Sequence, residues 1–565
     1  MEIYPMRRAK IVATLGPASN EVDQIKQLIE CGINTARVNM SHGTYEGHRQ
    51  VIKNIREASK QLGREIAILM DLQGPKIRVD KLPAPIELKD GSEWAIGHFS
   101  VREKYPQYKD NFIPTVYEKL VKDCKANVRI LFDDGLIVAR TLKQEGEVFL
   151  IKVEVGGMLK SNKGINLPDV EVSAPSFTEK DREDLMFGLR EGVDYVALSF
   201  IRRKEDVLQV KHLLHKLKKH IPIVAKIENP LAIKNIEEIV DATDVIMVAR
   251  GDMGVEMGNH LVPSIQKRII HLCNKKGVPV ITATQMLESM ITNSTPTRAE
   301  ASDVANAIWD GTDAVMLSGE TASGKYPFEA VRMMDKIVKE AEKAPKERPL
   351  LRHMDLSSVT SSVMVAASLI AEKTNAKAIA CVTQSGNSAL RITRFRPAAQ
   401  VLGVTNEVPI ARRMALYWGV SPFITTGIDE AEKGLEDRVL KLIHEKLKLT
   451  NGDKVVITRG DGKFFAKGSS NTVRVEIIKD APKFLHGSDV LESVDFERGQ
   501  INLDTHLCAS CQACVTTCPH DIFAVSQDEG RRTFIRKENA EQCAMDMACV
   551  EACPTGAIEI FGKDS

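Results

Sequence analysis

Eight short apolar runs recur between residue 9 and about residue 340, each ending where polar residues begin and each followed by a helical pattern. They read AKIVATLG, TARVNM, AILMDL, YVALSF, PIVAKIE, DVIMVARGD, PVITATQM and AVMLSGET. A strand that is apolar without alternation is buried on both faces, and such strands alternating with helices require a parallel sheet covered on both sides. Eight of them predict a closed (β/α)8 barrel, a fold whose chemistry is carried by the C-terminal ends of its strands.

The third and fourth runs lie about 120 residues apart, far beyond an ordinary βα connection. Alternating segments such as LIVARTL and EVFLIKVEV, with turns at DDG and VGG, fill the interval. They predict an inserted β-rich lid domain over 74–170, leaving the barrel as 1–73 and 171–345. After APKERP, strand-like AIACVT, QVLGVT, PFITT, KVVITRG and VRVEII alternate with helical stretches and predict an α/β domain over 350–480. A linker over 481–499 then leads to a small α+β, cysteine-rich domain over 500–565. This division fits the length, since single apolar cores stop growing near roughly 250 to 300 residues and the chain has 565.

Charge excludes some partners. Basic and acidic residues number 77 and 76, a formal net charge of +1, so no overall field recruits nucleic acid or an anionic membrane. The N-terminal stretch has no apolar leader pattern and no apolar run is long enough to span a bilayer, so a cytoplasmic protein is expected.

The polar residues at the expected strand ends are Arg37, Asn39, Ser41, Asp71, Arg78, Ser199, Lys226, Glu228, Asp252, Thr284 and Ser318. Glu228 and Asp252 close neighbouring runs, and two carboxylates so placed suit a hard divalent cation such as Mg²⁺. Lys226 would share that site, the alternative being a structural ion pair with Glu228.

Taken together, TLGPAS, ARVNMSHG, DLQGPKIR, KIEN, ARGDMGVE, ATQMLESM, PTRAEASDVANAIWDGTDAVMLSGET and YPFEAV, in this order, resemble pyruvate kinase over about residues 7 to 480. KGINLP in the insert is similar to that family's lid motif, with Lys163 as its phosphate-contacting lysine. The resemblance implies phosphoryl transfer from phosphoenolpyruvate to ADP, giving ATP and pyruvate, with Mg²⁺ or Mn²⁺ on Glu228 and Asp252. It implies that Arg37 and Lys226 contact the phosphoryl group, and that the amides of Gly251 and Asp252 receive the substrate carboxylate together with Thr284. Thr284 and Ser318 would belong to the proton relay, and Asn39, His42, Arg78 and Lys163 would approach the nucleotide. A homotetramer is implied as well.

Relatives hold a potassium ion near residues matching Asn39, Ser41, Asp71 and the carbonyl of position 72. Here DLQGPK places Leu72 where threonine is common and Lys76 where glutamate is common. An ammonium beside that pocket supplies the charge the ion otherwise provides, so K⁺ is not expected to be required. In the α/β domain, TQSGNSA resembles a loop that holds the phosphate of an allosteric effector, through Thr383, Ser385 and Ser388. A plain helix cap is the alternative.

Seven of the eleven cysteines fall between Cys508 and Cys553. Cys508, Cys511, Cys514 and Cys518, closed by a proline, match the bacterial ferredoxin run, whose fourth cysteine serves the other cluster. CAMDMACVEACP repeats the register from Cys543, with Asp546 in place of the second cysteine. One [4Fe-4S] cluster would take Cys508, Cys511, Cys514 and Cys553. A second, [3Fe-4S] or Asp-ligated [4Fe-4S], would take Cys518, Cys543, Cys549 and Asp546. The spacing argues against zinc. Such a module is expected to sense redox state or to exchange electrons with a redox partner enzyme, the alternative being a purely structural cluster. The opposite reading, an inactive barrel serving as scaffold for the tail, is opposed by a suitable residue at every candidate catalytic position.

Overall fold

The computed structural model describes residues 7–75, 77–168, 170–344, 358–425, 443–444, 447–460, 470–478, 491–504, 508, 512–525, 533–553 and 557–562. The chain divides into two compact units, one of residues 1–449 with 453–477, the other of 450–452 with 478–565.

All eight apolar runs are strands of one closed parallel barrel. They are β1 (Lys10–Thr14), β2 (Thr35–Asn39), β3 (Ala67–Asp71), β4 (Tyr195–Leu198), β5 (Ile223–Ile227), β6 (Val245–Ala249), β7 (Val280–Ala283) and β8 (Ala314–Leu317). Their side chains alternate between two cores. Val12, Leu69, Tyr195, Val224, Met247, Ile281 and Met316 fill the barrel interior. Ile11, Ile68, Val196, Ile223, Ile246, Val280 and Val315 face the surrounding helices. Ala415 and Leu416 from the following domain join the interior set.

The helices begin and end where local chemistry dictates. Glu179–Glu191 and Arg298–Asp310 open with reciprocal capping boxes, Thr178 with Asp181 and Thr297 with Glu300. The second stops at Gly311 in the left-handed conformation.

Between β3 and the helix Glu179–Glu191 lie a six-stranded sheet and a two-stranded one, built around their own apolar core. The α/β segment forms a five-stranded sheet with strands Ala378–Val382, Gln400–Thr405, Val420–Ile424, Lys454–Gly460 and Ser470–Ile477.

The second unit holds an antiparallel sheet of Leu491–Phe496, Gly499–Asp504 and Ile558–Gly562, and a hairpin of Phe523–Val525 with Thr533–Ile535. Residues 491–496 correct the expected linker over 481–499. They pair with Gly499–Asp504, and Val494 and Phe496 are buried in this unit's core, so the segment is held by apolar burial. Two short helices, Ala513–Thr517 and Ala548–Ala552, each follow a left-handed residue, Gln512 and Met547, which reproduces the sequence repeat in the backbone. Among the described residues no helix is long and apolar enough to cross a membrane.

Candidate active site and iron–sulfur sites

The alternation that fills the barrel interior also aims the charges. Arg37 pairs in register with Leu69, Asp71 with Ala197 and Lys226 with Met247, all interior positions. These three side chains, and Glu228 two residues beyond Lys226, therefore sit at the C-terminal end of the barrel axis.

There they form one ion network. Arg37 Nε donates to Asp71 Oδ2 at 2.8 Å and its Nη1 to Thr14 Oγ1 at 3.0 Å. Lys226 Nζ lies 2.8 Å from Glu228 Oε1 and 3.5 Å from Asp71 Oδ1. It donates to Ser199 Oγ at 2.7 Å, and the Ser199 hydroxyl donates in turn to the Leu72 carbonyl at 2.8 Å.

Burial would depress the Lys226 ammonium, but Asp71, Glu228 and Asp252 overcome it and the net shift is upward. For Asp71 burial acts upward, and Lys226 and Arg37 outweigh it and hold the carboxyl below its usual range. Burial raises Glu228, and the nearby Asp252 charge adds to that while Lys226 opposes it.

Glu228 is fully buried. Its Oε2 accepts the Phe200 amide at 2.7 Å. Its Oε1, despite the 2.8 Å ion pair, meets no hydrogen-bond geometry, and neither does Asp71 Oδ1. A buried carboxylate oxygen without a hydrogen bond costs free energy unless a cation satisfies it. With Asp252 close enough to shift both Glu228 and Lys226, the donor set is all oxygen and fits a hard divalent ion.

Asp252 lies on the helix Arg250–Met257 that follows β6. The Gly251 amide at its start donates to Thr284 Oγ1 at 2.7 Å, so the hydroxyl and the amide expected to meet the substrate carboxylate are adjacent. Thr284 and Gln285 both have positive φ, 70° and 52°. Arg250 braces this turn: its Nη2 donates to the Thr284 carbonyl at 2.7 Å, and Asp303 holds its Nη1 at 2.7 Å. Phe200, also at positive φ, turns its amide onto Glu228. Strain of this kind costs roughly 1 to 3 kcal/mol per residue and concentrates at functional sites. Ser318 Oγ is buried without a hydrogen-bond partner.

Arg78, grouped by sequence with the barrel strand ends, belongs to the inserted domain. It bridges to Gly164, and its Nη1 donates to the Asn162 carbonyl at 3.0 Å. This agrees with the predicted insert over 74–170, which contains it. Lys163, beside it, pairs with Asp133 at 2.7 Å. Asn39 Oδ1 accepts the Ser41 amide at 3.1 Å, and His42 is exposed on the same loop. The Leu72 carbonyl, expected at a monovalent site, is engaged by Ser199. Lys76 lies outside the described residues.

In the α/β domain, Thr383 Oγ1 accepts the Gly386 amide at 3.0 Å and Ser388 Oγ pairs with Ser470 Oγ at 2.6 Å. Two of the three hydroxyls expected to meet an effector phosphate are thus engaged within the fold. Ser385 is half-buried on the same loop. A cleft that includes Arg7, Lys10, Arg56, Arg64 and Arg412 borders the N-terminal end of the barrel strands, away from this chemistry.

The second unit groups its cysteines across the repeat. Cys514, pushed up to about 11 by burial, feels Cys508 and Cys553. Cys549, also pushed up to about 11 by burial, feels Cys518 and Cys543. Among the described residues no three ligand side chains converge on one ion. Cys511 lies outside the described residues. Asp546 is exposed, and its Oδ1 caps the Ala548 amide at 3.1 Å. It borders a small cavity with Cys518, Cys543, Cys549 and His520, the last a neighbour that the cysteine spacing alone did not single out.

Comparison with known proteins agrees with this geometry. The pyruvate kinase barrel-domain family matches residues 6–331, the pyruvate kinase alpha/beta-domain family 361–476 and the 4Fe-4S dicluster domain family 500–557. The chain is 45% identical over 482 residues to a pyruvate kinase of Geobacillus stearothermophilus, covering 84% of this chain and 81% of that protein. It is 44% identical to a pyruvate kinase of Staphylococcus saprophyticus and 42% to one of Staphylococcus aureus, with the same coverage. With the charge network at the barrel mouth and the extent of these matches, the chain belongs to the pyruvate kinase family, extended by a 4Fe-4S dicluster domain.

Proposed function

We propose that the barrel transfers the phosphoryl group of phosphoenolpyruvate to ADP, and that its fused iron–sulfur module serves redox sensing or electron transfer. The P–O bond to the enol oxygen breaks, a bond to the β-phosphate oxygen of ADP forms, and the enolate takes a proton at carbon to become pyruvate. Glu228 and Asp252 would hold Mg²⁺ or Mn²⁺, which when bound neutralises charge on the phosphoryl oxygens and substrate carboxylate.

The observation that carries the reading is the Lys226 ammonium held between Glu228 and Asp71. Its upward shift keeps it protonated, so it acts as fixed positive charge toward the phosphoryl group and enolate oxygen, not as a base. Arg37, tethered by Asp71 and Thr14, offers a second cation that cannot deprotonate. The Gly251 and Asp252 amides and the Thr284 hydroxyl would receive the carboxylate. Thr284 and the unpartnered Ser318 hydroxyl would belong to the relay that delivers the proton. From the inserted domain Arg78 and Lys163 would meet the nucleotide phosphates, with Asn39 and His42 on the barrel side.

Lys76 would stand in for potassium beside Asn39, Ser41, Asp71 and the Leu72 carbonyl. Thr383, Ser385 and Ser388 would hold a phosphorylated effector. In the tail, Cys508, Cys511, Cys514 and Cys553 would bind a [4Fe-4S] cluster, and Cys518, Cys543, Cys549 and Asp546 a second cluster. The enzyme would act as a cytoplasmic homotetramer.

A coupled assay for pyruvate and ATP tests the kinase. For the tail, the kinase rate is measured anaerobically with the clusters oxidised and then reduced. A difference supports sensing, whereas equal rates remove it and leave exchange of electrons with a pyruvate-oxidising partner or a purely structural cluster.

A further inference from the structure

The helix that begins with Gly251 and Asp252 carries a second acid one turn later. Glu256, four residues beyond Asp252, lies on the same helical face, and only 8% of it is exposed. It takes a hydrogen bond from the inserted domain: Asn166 Nδ2 donates to Glu256 Oε1 at 2.8 Å.

A second contact lands on the same helix. The turn Asp133–Gly135 reaches it so closely that a Cβ on Gly135 would lie 3.6 Å from Val255 Cγ1. Both contacts lead to Lys163. Asp133, in that turn, holds the Lys163 ammonium at 2.7 Å, and Asn166 follows Lys163 by three residues on the strand that pairs with Arg129–Phe132. One helix therefore bears the metal-site carboxylate and the amide for the substrate, and also the two points on which the lysine-bearing part of the insert rests.

We propose that Asn166 and Glu256 form a strap that sets the inserted domain against the Arg250–Met257 helix, making Glu256 a positioning residue for phosphoryl transfer to the nucleotide. This rests on the reading that Asp252 and Lys163 serve opposite ends of the transferred group. In-line transfer needs reacting atoms held within a few tenths of an ångström, and a slack lid loses that alignment without loosening the substrate already bound on the barrel.

The test is steady-state kinetics of the full-length holoenzyme with Asn166→Ala, Glu256→Ala and the double variant, alongside phosphoenolpyruvate–Mg²⁺ binding without nucleotide. The strap predicts that each single change raises KM for ADP and lowers kcat, each at least fivefold, with phosphoenolpyruvate affinity altered less than twofold. The double variant should be no worse than the poorer single one. Glu256→Gln, which keeps the acceptor oxygen, should stay within twofold of the native enzyme. Nucleotide kinetics unchanged in folded Asn166→Ala, additive losses, or a parallel fall in phosphoenolpyruvate affinity would each overturn the strap. Asn166→Ser replaces Asn166→Ala if the latter does not fold. Lys163→Met separates the two ideas: if it leaves ADP kinetics intact, the underlying site reading fails, whereas a Lys163→Met defect beside a silent Asn166→Ala condemns the strap alone.

Discussion

Lys226 Nζ, on a barrel strand, stands 2.8 Å from Oε1 of Glu228, which follows the end of that strand two residues along the chain. Neither charge could be buried there alone. Removing one partner of a buried ion pair leaves the other uncompensated, typically at a cost of about 3 to 5 kcal/mol. Lys226→Met should therefore lower both melting temperature and kcat, the latter by at least about 100-fold, as for loss of a preorganised charge at a transition state. A variant with near-native turnover would remove Lys226 from the reaction.

The carboxylate pair makes a different demand. Glu228→Gln and Asp252→Asn should each raise the Mg²⁺ concentration for half-maximal rate at least tenfold, read by titrating Mg²⁺ into chelator-treated enzyme. An unchanged half-saturation in both variants would place the ion elsewhere.

Burial pushes the Glu256 carboxyl up to about 7, with Asp252 and Glu228 adding to the shift and the Asn166 hydrogen bond opposing it. A folded value above the unfolded 4.5 means the native state holds the extra proton between the two values. Stability from this group is thus full below about pH 4.5 and lost as pH rises through about 7. The melting temperature of Glu256→Gln should overtake the native one progressively between pH 5 and pH 8. A constant difference across that range would show that Glu256 does not titrate there.

Potassium offers a test that needs no variant. On the proposal that Lys76 stands in for the ion, the rate should change less than tenfold when potassium replaces a bulky organic cation at constant ionic strength. Lys76→Glu should create a requirement. Strong activation of the native enzyme would refute the substitution of an ammonium for the ion.

Cys553 is far from Cys514 in the chain, yet its charge registers there. Anaerobically purified Cys553→Ala should lose the spectroscopic signature of the cluster on Cys508, Cys511 and Cys514 while keeping that of Cys518, Cys543 and Cys549. Asp546→Cys should give the second cluster a [4Fe-4S] signature. Loss of the other cluster in Cys553→Ala would mean that ligands are not exchanged between the half-repeats.

Much of this protein was legible from periodicity and spacing. Unbroken apolar runs gave all eight barrel strands because burial on both faces leaves no polar position to interrupt them. Fixed cysteine spacing gave the half-repeat, which the backbone reproduces as two short helices that each follow a left-handed residue. The strand at 491–496 was misread as linker because its alternation is short and its partner, the strand Gly499–Asp504, had no separate signature.

What tertiary structure alone decided is which charges meet. The sequence determines that Asp71, Lys226 and Glu228 sit near strand ends, but their shared network depends on barrel closure and register. It equally could not show that Arg250 braces the strained Thr284 turn, or that Asn166 reaches Glu256 across 90 residues. The physical reason is one of range. Secondary structure follows patterns a few residues long, whereas the pairing and desolvation of buried charges depend on neighbours that only the folded chain brings together.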